Sequence, residues 1–278
     1  MKKLFVNNNG TVIENNGPTI EAGNRGHLYG DGLFESIRIY NGKPINVDAH
    51  IARLLEGMSI LKMRVPSFYT TEFFTEKITE LAEKSEVTAG GRARLSIDRT
   101  SGGTYMPESN ETNFFIEIYG LEHNDFKLNE KGLELDIYMR MKKEKNIFSN
   151  FKTKNGLLYV MAAIEAKEKN LDDILLMNSD GKLIETTSSN IFMVSNGILY
   201  TPSLDEGCVG GTMRMRIINL ALNNNIRIYE SPITTQNLFL ADELFITNAI
   251  SGVKWVGGFR TKRFTNIIAH QIVDLLNQ

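Results

Sequence analysis

Apolar positions recur every second residue in short runs and every third or fourth in longer ones, and the two periods alternate along the chain. Lys3–Asn7, Gly10–Glu14 and Phe34–Tyr40 have the length and residue types of strands. Ile51, Leu54, Leu55, Met58 and Leu61 fall at helical spacing, which predicts a helix from an Asp48 N-cap to about Met63. A second helix is expected over Glu72–Lys84. Strands follow at Arg92–Asp98 and Asn113–Tyr119. In the first of these, Arg94, Ser96 and Asp98 alternate with Leu95 and Ile97, so one face should be polar.

The polar stretch Gly120–Lys127 reads as a linker. Beyond it a strand is expected at Leu133–Met139 and a helix at Gly156–Lys169. Three β segments arrive in quick succession: Asp173–Met177, Lys182–Thr186 and Asn190–Ser195. Ser179-Asp180-Gly181 suits a turn between the first two, and Asn196-Gly197 is a hairpin signal leading into Ile198–Thr201. A helix follows Gly210-Gly211-Thr212, a strand covers Glu243–Thr247, and an amphipathic helix covers Phe264–Leu276. Strands and helices mixed in both halves predict an α+β protein of two domains, residues 1–119 and 128–278.

Composition narrows the function classes. The 278 residues are 42% hydrophobic and 23% charged, ordinary globular usage. Thirty-one Lys and Arg against 33 Asp and Glu give a net charge of −2, which argues against a strongly basic nucleic-acid binder. Cys208 is the single cysteine, so no intrachain disulfide and no cysteine zinc cluster can form. His27, His50, His123 and His270 are too scattered for a metal site. No apolar run reaches the ~18 residues of a membrane span. The expectation is a soluble cytoplasmic protein with neither a membrane nor a nucleic-acid partner. No Walker loop and no G-x-G-x-x-G pattern is present.

Five segments carry candidate chemistry. Gly210-Gly211 opens a helix at Thr212-Met213-Arg214, and helix N-termini bind phosphate. An ordinary glycine turn reads the same way. Arg53 follows His50 by one helical turn, and its planar fork suits phosphate or carboxylate, although most arginines are simply solvated. Lys152, in Phe151-Lys152-Thr153-Lys154-Asn155, is a Schiff-base nucleophile if desolvated and a surface lysine otherwise. Glu185 ends a strand ahead of the donor-rich loop Thr186–Asn190, which fits a ligand site or a plain turn. Asn248 and Ala249 follow an apolar strand at another loop.

Each signal is weak alone, but their order is not. The chain runs YGDGLFES, HIARL, FKTKNGLL, LIETTSSNIF, VGGTMR and ADELFITNA. This sequence of motifs resembles the class IV aminotransferases, fold-type IV enzymes that use pyridoxal 5′-phosphate, from about Asn7 to Val256. The resemblance implies a smaller N-terminal α+β domain, a larger C-terminal domain with a barrel-like sheet, and a homodimer. It implies that Lys152 links to the cofactor, with Asn155 completing the K-x-x-N form of the motif. Glu185 would face the pyridine nitrogen, and Arg53 would bind the phosphate with backbone N–H groups of Thr212 and Met213. Gly211, Asn248 and Ala249 would stand nearby, and Ser188, Ser189 and Asn190 would line the cofactor.

The resemblance extends to the reaction. The family includes branched-chain and D-amino-acid aminotransferases and 4-amino-4-deoxychorismate lyases. Gly211–Arg214, Asn248-Ala249 and Ser101-Gly102-Gly103 resemble the lyases, which release pyruvate and leave 4-aminobenzoate for folate synthesis. Amino-acid transamination is the alternative, and a non-catalytic cofactor-binding module a more remote one. D-amino-acid enzymes carry Tyr where this chain has Phe34, and Arg and His where it has Ser101–Tyr105; the lyases tend to have Arg near Thr104. The carboxylate anchor of a small amino-acid-like substrate must therefore come from elsewhere, and Arg94 and Arg99 are candidates.

Overall fold

The computed structural model describes residues 5–17 and 19–278. Two compact units divide it: 1–125 with 151–155, and 126–150 with 156–278.

The first unit opens with the hairpin β1 (Phe5–Asn8) and β2 (Thr11–Glu14), a short helix α1 (Arg25–Tyr29), and the long strand β3 (Gly32–Tyr40). After β4 (Lys43–Pro44) come helices α2 (Val47–Ile60) and α3 (Thr71–Lys84), then β5 (Gly91–Arg99) and β6 (Thr112–Gly120). The six strands form an antiparallel sheet in the order β2-β1-β6-β5-β3-β4. Period-two alternation sends Leu33, Ile37 and Ile39 of β3, Ala93, Leu95 and Ile97 of β5, and Ile116 and Ile118 of β6 into one core. Ile51, Leu54 and Met58 of α2 and Phe74, Ile78 and Leu81 of α3 cover it.

Helix α2 starts one residue before the expected Asp48 cap. Its N-cap is Asn46 in the left-handed region, and Asp48 lies in the first turn, where its charge favours the helix dipole. The helix stops at Ile60 rather than Met63 because Lys62 takes φ +55°, which a helix cannot continue. The expected strand from Lys3 begins at Phe5; Lys3 and Leu4 lie outside the described residues.

The second unit runs β7 (Leu133–Ile137), α4 (Leu157–Glu168), β8 (Asp173–Met177), β9 (Leu183–Thr186), β10 (Asn190–Ser195) and β11 (Ile198–Thr201). It continues with α5 (Thr212–Asn223), β12 (Ile228–Glu230), α6 (Thr235–Leu240), β13 (Glu243–Asn248), β14 (Gly252–Phe259), β15 (Lys262–Arg263) and α7 (Ile267–Leu276). Strands β10, β13, β14, β7, β8 and β9 pair in turn, and β9 pairs back onto β10 through Glu185 and Asn190. The sheet closes into the expected barrel. Leu135, Leu175, Leu183, Ile191, Leu244, Ile246 and Val256 belong to one buried cluster. Ile174, Leu176 and Ile184 instead join Ala162 and Ala166 of α4, so these strands are apolar on both faces.

Several elements depart from expectation. Residues 120–125 of the expected linker belong to the first unit, because Arg38 of β3 donates to the carbonyls of His123, Asn124 and Asp125. The segment 151–155, with Lys152, also counts with the first unit rather than with the C-terminal domain. Helix α7 begins at Ile267 rather than Phe264. Phe264 and Thr265 bond to Gly257 and Asp242, and the Glu243 carboxylate caps the helix by accepting from Ile268 and Ala269 N–H. Strand β14 was not foreseen, since Gly252, Gly257 and Gly258 interrupt its pattern. Among the described residues no helix is long and apolar enough to cross a membrane.

Candidate active site

The first unit gathers Lys152, Phe34 and Arg94. Residues 152–154 lie along β3: Phe34 N–H donates to Lys152 O at 2.9 Å, and Lys154 N–H donates to Gly32 O at 2.9 Å. Lys152 Nζ sits 4.5 Å from the Phe34 ring centroid. The Arg94 guanidinium lies over the same ring at 4.0 Å. This places Arg94 on the polar face that the alternation of β5 predicted. Burial pushes the Arg94 pKa down and the neighbouring Arg92 charge adds to that. Arg94 thus holds a half-buried positive charge with no hydrogen-bonded acid among the described residues, the condition of an anion site.

Arg99 does something else. Its Nε donates to Asp31 at 2.9 Å, and its other nitrogens donate to Leu61 O at 2.7 Å, to Asn110 Oδ1 at 2.5 Å and to Lys62 O at 3.4 Å. The fork is occupied within the first unit, so Arg99 is corrected from a substrate candidate to a brace. Thr104 joins the same framework through its backbone: Arg25 donates to Thr104 O at 2.6 Å and Gly102 O at 2.9 Å, and to Asp31 at 2.9 Å.

Arg53, on α2, is locked by Glu35 of β3. Its Nε donates to Glu35 Oε1 at 2.8 Å and its Nη2 to Oε2, while His50 Nδ1 stands 2.7 Å from Oε2. Burial pushes the Glu35 carboxyl up, but the Arg53 charge and the His50 hydrogen bond outweigh it and hold it at about 2. Glu35 was not singled out from the sequence. Its signal was there: it occupies an inward phase of β3 between Leu33 and Ile37.

The second unit holds the remaining candidates. Glu185 is buried at the seam of the barrel. Its Oε1 accepts from Lys143 Nζ at 2.6 Å and Tyr159 OH at 2.8 Å, and its Oε2 accepts from Val209 N–H at 2.7 Å. Burial and then the Glu185 charge push the Tyr159 hydroxyl pKa upward; the same causes push the Cys208 thiol up to about 12. Lys143 and Tyr159 carried no signal, one lying in a basic run and the other in an apolar helix.

Asn190, opposite Glu185, donates to Val209 O at 2.7 Å. Gly211 is the N-cap of α5 and brings no capping side chain to Thr212 and Met213. Asn190 Oδ1 would stand 1.9 Å from a Cβ at Gly211, so any larger residue here would have to displace the Asn190 amide from its place. Asn248 donates to Ser189 Oγ at 3.0 Å and accepts from Ile250 and Ser251 N–H, which shapes the loop through Ala249. Ser188 is exposed on the loop joining β9 to β10. Thr247, paired with Asn190 across the sheet, has a buried hydroxyl without a hydrogen-bond partner among the described residues.

A family model, amino-transferase class IV, matches residues 32–256. The chain belongs to the class IV aminotransferase family. Members are pyridoxal-phosphate-dependent aminotransferases or lyases, and this class IV chain is an enzyme of that kind. It is 27% identical over 259 residues to a D-alanine aminotransferase of Bacillus licheniformis, covering 91% of this chain and 86% of the relative. It is 24% identical over 241 residues to an aminodeoxychorismate lyase of Vibrio harveyi, covering 86% and 87%. A branched-chain aminotransferase structure from Thermoproteus uzoniensis superposes with TM-score 0.89 at 22% identity, covering 98% of this chain and 93% of that one.

Proposed function

We propose that this class IV enzyme is a 4-amino-4-deoxychorismate lyase. The observation that carries an amino-acid-like substrate is the pairing of Lys152 and Arg94 on one aromatic ring: an amine nucleophile beside a guanidinium with no hydrogen-bonded acid among the described residues. The lyase branch is supported by Gly211–Arg214, Asn248-Ala249 and Ser101–Gly103, and by the Vibrio relative.

The residues fit pyridoxal 5′-phosphate. Glu35 pre-orients Arg53 for the phosphate, the start of α5 offers backbone N–H groups, and the unsatisfied Thr247 hydroxyl has a hydrogen bond to give. A carboxylate has about four acceptor directions, so Glu185 keeps one after its three donors. When bound, the cofactor supplies the electron-withdrawing ring that labilises bonds at the amine-bearing carbon.

The chain's residues do the rest. Lys152 would hold the cofactor through Nζ and would carry a proton on the same atom. The Glu185 carboxylate would face the pyridine nitrogen and would hold a proton there. Arg94 takes a substrate carboxylate, and the Phe34 ring holds Arg94 and Lys152 at fixed spacing.

A homodimer belongs to the same reading. Leu157, Val160, Met161 and Ile164 form an exposed apolar stripe along α4, which a second copy of the chain would cover. Cytoplasmic residence is supported by a lone, buried cysteine.

The test is product analysis. The cofactor-loaded protein is given 4-amino-4-deoxychorismate, and in parallel L-valine, L-glutamate or D-alanine with a 2-oxo acid. The lyase forms equal amounts of 4-aminobenzoate and pyruvate. Conversion of an amino acid to its oxo acid, with no 4-aminobenzoate formed, would overturn the lyase reading in favour of transamination.

A further inference from the structure

Two lysines, Lys152 and Lys154, occupy one short extended segment. Thr153 bridges to Leu33 in antiparallel fashion, and the flanking backbone hydrogen bonds run to Phe34 and Gly32. Side chains two residues apart on a strand share a face. Lys152 and Lys154 therefore rise on the same side of β3, about 7 Å apart. Either amine is a chemical candidate for reaction with an aldehyde.

Their surroundings separate them. Lys152 Nζ rests against the Phe34 ring. Lys154 instead crosses the full width of β3 and pairs with Asp98 of β5. Asp98 stands opposite Gly32 in the β3–β5 register. The crossing depends on Gly32. A Cβ there would lie 2.3 Å from Asp98 Oδ1 and 3.1 Å from Lys154 Cδ, directly in the path of the lysine. Asn24 donates to the other Asp98 oxygen at 3.0 Å, so the carboxylate is held on both sides. The two side chains are only 16% and 6% exposed, which sets the pair apart from the exposed ion pairs that contribute little. Asn155 Nδ2, reaching Gly30 O at 3.4 Å, ends the segment.

We infer that the Lys154–Asp98 pair is a strap across Gly32 that fixes the extended segment on β3 and leaves Lys152, not Lys154, to meet the cofactor. Lys154 and Asp98 are positioning residues: the strap holds the Lys154 amine on Asp98 and fixes the backbone that carries Lys152. The inference rests on Lys152 being the cofactor lysine.

The experiment uses the full chain, pyridoxal 5′-phosphate and borohydride. Reduction leaves a stable phosphopyridoxyl label, and peptide mass analysis locates it. Wild type is expected to carry the label on Lys152 alone. Asp98→Asn is expected to divide it between Lys152 and Lys154. Lys154→Met is expected to keep it on Lys152, with the visible cofactor band forming about tenfold more slowly because the segment is no longer held in place. Lys154→Arg, which can still pair with Asp98, is expected to restore the wild-type rate; a merely space-filling role would not distinguish Met from Arg. Circular dichroism checks that each variant is folded, and the Met–Arg comparison stands should Asp98→Asn not fold. Label confined to Lys152 in Asp98→Asn, together with equal band formation in the Met and Arg variants, would overturn the strap. A wild-type label on any other lysine overturns the Lys152 reading itself, which the variants alone would not do.

Discussion

Asn190 pairs with Glu185 where β10 meets β9, and this pairing closes the barrel of the second unit. The carboxylate at the seam is surrounded by Lys143, Tyr159 and the Val209 N–H. Glu185 therefore holds two things together, the charge of a buried lysine and the barrel strands around it. Glu185→Gln would leave the mostly buried Lys143 ammonium without its counter-ion. Removing one partner of a buried pair costs about 3–5 kcal/mol. We expect a clear loss in the urea midpoint of the cofactor-free protein, along with loss of activity when cofactor is added.

Arg94 and Arg99 should respond oppositely to the same change. On the proposed function Arg94→Met removes the carboxylate anchor, and a hydrogen bond to a charged group contributes about 1.5–3 kcal/mol. That corresponds to a KM raised roughly tenfold to a hundredfold, with thermal stability nearly unchanged. Arg99→Met removes the Asp31 pair and the donors to Leu61, Lys62 and Asn110. It should lower stability by about 3 kcal/mol. Steady-state kinetics and thermal melts of the two variants separate the roles; equal effects on both readouts would contradict the assignment.

Glu35 predicts an acid limb. Its carboxyl lies at about 2 against an ordinary 4.5. The folded value is depressed, so its stabilisation is fully present above about 4.5 and is lost as pH falls through about 2. A shift of that size is worth about 3 kcal/mol. The urea midpoint of wild type should fall between pH 4.5 and 2 more steeply than that of Glu35→Gln.

Gly32→Ala should be costly although it adds only one methyl. The new Cβ would stand 2.6 Å from Ile97 O and 2.3 Å from Asp98 Oδ1, and neither the backbone nor the paired carboxylate can retreat easily. Overpacking of this kind costs about 1–3 kcal/mol. Thermal melts compared with Gly17→Ala, where nothing stands within 4 Å, provide the control.

The α4 stripe can be tested by charge. If the proposed homodimer is built on this stripe, wild type sediments as a dimer and Val160→Asp, at an exposed position, as a folded monomer. An unchanged sedimentation coefficient would remove α4 from the interface.

The strands and long helices were legible because binary patterning imposes them locally. Asp173–Met177, Asn190–Ser195 and Ile198–Thr201 have the bounds that alternation and turn residues predict. Strand β14 was hidden by three glycines, and the stop of α2 by a left-handed lysine, because neither leaves a mark in hydrophobic period. Among the candidate site residues, Lys152, Glu185, Arg53 and the start of α5 are singled out by the order of their motifs. Glu35, Lys143, Tyr159 and Thr247 are not, since the first three meet their partners only in the folded chain and the buried Thr247 hydroxyl is noticed only once the barrel is built.

The sequence by itself determined the family and the mixed α+β class and named the candidate side chains, because these follow from residue type, local spacing and motif order. Tertiary structure decided that Arg99 rather than Arg94 is hydrogen-bonded to an acid, that Lys154 pairs with Asp98, and that the barrel closes at Glu185. Those outcomes depend on strands paired across long separations, as Asp98 meets Lys154 over Gly32, and no local pattern encodes a partner that distant.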